Sequence, residues 1–368
     1  MISLIFPAMA VVFGVWFCAA WIRAELPKKG TLEWIFAFEK PRFAVEAAFP
    51  LRLGDLFWWL IPAAVAAAAL VAEVLLTVGA ASVPDLIMQT VPPVMAAAAV
   101  YFLTKSMTGS VISSLAGGCL TALSAILLGE ETVLFAVAVF AAWLWFAGGA
   151  WWLLALAGAA LAAAATFDPL LALFAPVLLI VAIVGASQRV REDRLGAFGA
   201  IVTVLLPFLA AAVTLPLTFT PAGLSFGMGF PQCYGRADFW GMIVGYYAAA
   251  FPILPLGGVH PWSFFFAALT KLPAIALTVC GLVVPLVQFC RRKSGAALYL
   301  WLWCAAAAVL FVFDVDCTAI TGAMVLAYGT SRLLRRGHPV RASIAMTISL
   351  AAAAAAAATM ILVYLSIV

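Results

Sequence analysis

An all-α, polytopic bundle of about 12 membrane-crossing helices is the fold class this sequence predicts, on three observations. The 368 residues are 67% hydrophobic and 9% charged, whereas soluble domains average roughly 45–50% apolar. Apolar runs of the ~17–25 residues needed to cross a hydrocarbon core about 30 Å thick recur from one end to the other. The Lys and Arg residues gather in a few connections between those runs. The net charge of +4 decides little, because orientation depends on where Lys and Arg fall rather than on their total. Nothing in the pattern supports nucleic-acid binding.

The expected spans cover 3–24, 56–80, 89–105, 108–128, 132–147, 149–166, 169–187, 196–216, 272–289, 296–313, 317–331 and 342–366. The first carries its positive charges after the apolar run, unlike a cleavable signal peptide, and reads as a retained helix with its N-terminus outside. Residues 25–55 follow, with LEWIFAFEKPRFAVEAAFPLR alternating apolar and charged positions as a short helix on the inner leaflet would. Asp168 before Pro169 reads as an N-cap for the seventh span. Alanine-rich stretches, above all 351–358, offer thin faces for close helix packing.

Four connections are basic: Lys28, Lys29, Lys40, Arg42 and Arg52 in the first; Arg189, Arg191 and Arg194; Arg291, Arg292 and Lys293; Arg332, Arg335, Arg336 and Arg341. The positive-inside rule makes all four cytoplasmic. Alternation then puts Asp85, Glu130, Glu131, Asp168, Asp314 and Asp316 outside. An odd number of crossings must separate residues 216 and 290. The apolar stretch 239–256, broken by Pro252, Pro255, Gly257 and Gly258, is therefore expected to be interfacial or re-entrant rather than a span. One transmembrane domain, 1–368, divides into an added helix and cytoplasmic loop (1–54), a first helical set (55–216), an outer segment (217–271) and C-terminal helices (272–368).

Candidate site residues follow from this topology. Arg236 and Lys271 are the two cations it leaves outside, near Tyr246, Tyr247, His260 and Trp262. Cations against the orientation rule suit an anionic ligand, with Arg offering a fork to phosphate and Lys a point charge. Pairing of Arg236 with Asp238, and a Lys271 that snorkels, would read the same. Glu73 falls roughly 25 Å along the second span, near the outer interface. An intramembrane carboxylate is a functional candidate, able to serve as a base once low dielectric raises its pKa; Asp85 competes for that role. Asp314 and Asp316, in FDVDC, have a spacing that could hold a divalent cation, as solvated helix-end carboxylates also would. The seven cysteines show no CxxC pair and read as packing residues.

His260-Pro261-Trp262, the following FFFAALTKLP, and the span, basic turn and span after it resemble a segment of the GT-C membrane glycosyltransferases, of the protein O-mannosyltransferase and aminoarabinose transferase kind. The likeness covers 260–312; FPLRLGDLFWWLIPAAVAA, from Phe49, also looks like the lead into that fold's first helix. The resemblance implies transfer of a sugar from a polyprenyl-phosphate donor to an acceptor at the outer face. It implies Glu73 or Asp85 as base, and phosphate contacts among Arg236, His260 and Lys271. The chain departs from the family in its short first outer loop, roughly 79–89, and in carrying Asp314 and Asp316 where relatives have a basic, Tyr-containing stretch. Two other classes compete: a transporter or lipid flippase, which would need charge near mid-membrane, and a noncatalytic membrane scaffold. Short loops and the lack of sorting signals favour a bacterial cytoplasmic membrane.

Overall fold

The computed structural model describes residues 2–25, 57–77, 83–124, 130–167, 169–218, 277–290, 294–310 and 317–367. These residues are all-α, with no β-strand among them. The helices are α1 (Ile2–Glu25), α2 (Leu60–Thr77, after a 3-10 turn Phe57–Trp59), α3 (Val83–Thr108), α4 (Val111–Ser124), α5 (Glu130–Phe146), α6 (Trp152–Phe167), α7 (Ala175–Arg191, after a 3-10 segment Pro169–Phe174), α8 (Ala197–Thr218), α9 (Leu277–Cys290), α10 (Gly295–Leu310), α11 (Cys317–Arg335) and α12 (Pro339–Ile367). A helix therefore occupies each stretch where an apolar span is expected. Among the described residues, Leu171–Arg191 and Ala197–Leu215 are long and apolar enough to cross a membrane, while several other apolar helices are shorter.

One expectation is corrected. The connection 79–89 is largely helical, because α3 starts at Val83 and runs on through Pro92 and Pro93. Pro84 and Asp85 explain the early start: proline is tolerated in a first turn, and a carboxylate there suits the positive end of the helix dipole. The helical run of the seventh span starts at Pro169, and its α-helical part follows Phe174, which makes no side-chain cap bond. The chain after Pro169 first winds as a 3-10 segment, and Pro176 in the first turn of α7 sets the α-helix start. Asp168 itself, the inner-leaflet stretch 26–56 and the interfacial stretch 239–256 lie outside the described residues.

Helix α11 is the axis of the bundle: every residue from 319 to 331 is buried, with α1, α3, α4, α10 and α12 packed around it. Its hydroxyls stay satisfied, as where Thr330 Oγ1 donates back to the Leu326 carbonyl (2.6 Å). A second group, α5–α8, joins this core through α5, which packs on α3. The seam is aromatic. Phe135 lies 4.6 Å from Phe174 and 5.6 Å from Trp303 between ring centroids, and Trp143 lies edge-on to Tyr299 at 5.2 Å. Such pairs add about 0.5–1.5 kcal/mol each beyond area burial. The thiols are packing residues here too: Cys304 is fully buried, and Cys280 Sγ donates to the Gly14 carbonyl at 3.1 Å.

Three helix ends turn by the same device. Gly337 adopts φ +74°, its N–H reaches Leu334 O (3.1 Å), and His338 N–H reaches Leu333 O (3.0 Å). That pair of bonds closes a Schellman motif, and Pro339 then opens α12. Gly148 closes α5 likewise, and Asp193, at φ 55°, closes α7.

Helices α6 and α8 approach so closely at Gly158 that an added Cβ would fall 2.1 Å from the Pro207 carbonyl oxygen. Backbone cannot swing aside as a flexible side chain can. Gly158→Ala is therefore expected to cost about 1–3 kcal/mol, the usual penalty of overpacking. Gly199→Ala, whose methyl would meet the mobile end of Leu195 at 2.9 Å, should cost little. Thermal unfolding of the two purified variants checks the difference.

Candidate functional site: two chemically opposite ends

Side-chain contacts sort the helix ends into two sets. Arg335 Nη2, on the last residue of α11, donates to the Thr108 carbonyl ending α3 (2.5 Å). Trp143 Nε1, near the end of α5, donates to Ser106 Oγ at 3.0 Å. Arg189, near the end of α7, donates to Trp145 O (2.5 Å) and Gly149 O (3.2 Å) in the α5–α6 turn, with its guanidinium 4.4 Å above the Trp145 ring. Arg336 pairs with Glu25 at the end of α1 (3.6 Å). Tyr299, in the second turn of α10, donates to Val139 of α5. The ends of α1, α3, α5, α7 and α11 and the starts of α4, α6, α8, α10 and α12 thus share one end of the bundle.

Every Lys and Arg among the described residues lies at that end: Arg23, Lys105, Arg189, Arg191, Arg194, Arg332, Arg335, Arg336 and Arg341. The opposite end carries, on the described helices, Glu73, Asp85, Glu130 and Glu131 and no Lys or Arg.

Several basic-end cations have structural work that the sequence reading missed. A helix C-terminus leaves carbonyls unpaired and carries partial negative charge. Arg335 and Arg189 supply charged donors to such carbonyls on neighbouring helices, while Lys105 Nζ reaches Gly109 O at 3.3 Å. Arg332 lies 5.1 Å over the Tyr328 ring and bonds its hydroxyl at 3.0 Å. Basic residues in the last turn are a signal readable in sequence; their partners, as many as 227 residues away, are not.

At the acidic end, Glu73 sits one turn before α2 stops and Asp85 lies in the first turn of α3. These helices pack together, so the backbone brings both positions to the same end of one hairpin. The starts of α9 and α11 are also pinned there: Thr278 and Thr321, both buried, are hydrogen-bonded at 2.9 Å. Lys271 precedes α9 by six residues, and Asp314 and Asp316 directly precede α11. The candidates Arg236, Tyr246, Tyr247, His260, Trp262, Lys271, Asp314 and Asp316 lie outside the described residues. Among the described residues no group of His, Cys, Asp and Glu could hold a metal ion. No family model, curated protein or solved structure matches the chain.

Proposed function

We propose that this chain is a multi-pass protein of a bacterial cytoplasmic membrane, crossing it about 12 times, and that it transfers a sugar from a polyprenyl-phosphate donor to an acceptor at the outer face. The separation of charge between the two ends carries the reading. With all described Lys and Arg at one end, the positive-inside rule makes that end cytoplasmic and leaves Glu73 and Asp85 at the outer end. The exposed stripe of α8, Ile201, Leu205, Leu209 and Val213, supports it as well. A contiguous apolar face of that length suits hydrocarbon rather than water.

The transferase part rests on the resemblance over 260–312 and on the positions of the outer helix ends. In the proposed reaction, Glu73 or Asp85 accepts the proton of the acceptor hydroxyl. The acceptor oxygen bonds to the sugar C1 as the bond from C1 to the phosphate oxygen breaks, and polyprenyl phosphate leaves. Arg236, His260 and Lys271 would balance the charge of that leaving phosphate, with Tyr246, Tyr247 and Trp262 against the sugar or lipid. Asp314 and Asp316 are placed in sequence to hold a divalent cation, should the donor need one.

Wild-type protein purified in mild detergent is expected to carry polyprenyl-phosphate lipid detectable by native mass spectrometry, and the Arg236→Ala, Lys271→Ala double variant to lose it. Equal lipid on both, or none on either, would favour a transporter or a scaffold instead.

A further inference from the structure

At the basic end, α1, α11 and α12 form a surface that the proposed reaction does not use. Along α1, residues 12, 15, 16, 19 and 23 are exposed; that spacing is one helix face. Its apolar members, among them Val12 at 68% exposure, lead to Arg23 in the last turn. Helix α12 packs against α1 and repeats the pattern in reverse. Arg341 and Val340 lie in its first turn, and the exposed face continues through Ser343, Ile344, Thr347, Ala351 and Ala354, mostly small side chains with two hydroxyls nearest the cation. The two cationic termini are drawn together by the ion pair between Arg336 and Glu25, beside the half-exposed His338.

Two neighbouring exposed faces, apolar on α1 and of small side chains with Val340 and Ile344 on α12, each end in an exposed cation at the terminus joined by the Glu25–Arg336 pair, a layout that suits a phospholipid with its acyl chains below an anionic headgroup. Arg23 and Arg341 are exposed, and among the described residues neither bonds a carbonyl of a neighbouring helix nor lies over a ring as Arg189, Arg332 and Arg335 do. A cation near an anionic headgroup is favourable by about 1 kcal/mol.

We propose that the α1–α12 face binds an anionic phospholipid of the inner leaflet, its headgroup held by Arg23 and Arg341 with Arg336 behind them. The proposal rests on the membrane part of the reading above and is independent of the transferase part.

The test uses the full-length protein in nanodiscs of phosphatidylcholine doped with phosphatidylglycerol, followed by native mass spectrometry of the lipid retained. Arg23→Gln with Arg341→Gln leaves the Glu25 pair intact and should weaken phosphatidylglycerol retention by about 30-fold, two cations' worth. A control, Arg191→Gln with Arg194→Gln, should retain lipid as the wild type does. Equal retention by both variants, equal loss from both, or loss of a second copy of this chain instead of lipid would overturn the assignment. So would saturation of the site by inorganic phosphate alone, which would make it a free-anion site. Membrane residence is scored separately by recovery after an alkaline wash. A chain that washes off refutes the membrane reading as well, whereas a chain that stays but shows no lipid difference refutes the lipid site alone.

Discussion

Sugar transfer should fall about 10²–10⁴-fold in either Glu73→Gln or Asp85→Asn, the loss expected when a general base is replaced by an amide that cannot accept a proton. The two positions share the outer end of the α2–α3 hairpin, so the pair of variants tells which carboxylate faces the acceptor. Glutamine and asparagine keep size and hydrogen bonding, so expression and melting temperature should hold. The measurement is transfer of labelled sugar from a polyprenyl-phosphate donor in membranes, at saturating donor, with rate followed against pH. Loss of the acidic limb of the pH profile would mark the base itself. Full activity in both variants would remove base catalysis by this hairpin, and with it the main role assigned to these residues.

The second large effect is structural. Glu25 is 1% exposed while its partner Arg336 is 38% exposed in its side chain. Truncating a partner of a buried ion pair costs about 3–5 kcal/mol, because the buried charge loses part of its compensation. Arg336→Ala should fall at the lower end, about 3 kcal/mol, since a guanidinium more than a third exposed is partly screened by water. Glu25→Gln is expected to be milder, as it removes the charge whose burial is costly and leaves Arg336 free to reach solvent. The double variant should be no worse than Arg336→Ala alone. Chemical unfolding in detergent, run as a double-mutant cycle, checks this; additive losses would show that the two side chains do not interact.

Gly158 and Arg335 show why some of the fold was legible in sequence and some was not. Gly337 and Pro339 are visible as a stop and a start, and the structure uses them so. Gly158 looks like any other small residue in WLLALAGAALAAAATF until α8 presents the Pro207 carbonyl to it. Arg335 reads as one more positive charge in a basic connection, and its hydrogen bond to Thr108 depends on packing between distant parts of the chain. The early start of α3 was readable in Pro84 and Asp85, but the expected span 89–105 followed the apolar run alone, and Pro92 and Pro93 sit inside the helix. Proline is a weaker breaker where tertiary packing holds the helix.

By itself, the sequence determined the all-α class and the stretches that become helices, because apolar runs and glycine or proline punctuation act locally. It also determined which connections are basic, since that is a matter of composition. The segregation of cations to one side and of Glu73 and Asp85 to the other was also expected from the sequence; only the tertiary structure decided that α11 is the buried axis and that several of the described cations cap neighbouring helices. Those facts depend on which helix faces which, and facing is fixed by close contacts such as Gly158 on Pro207 and Thr278 on Thr321, whose members lie far apart in the chain.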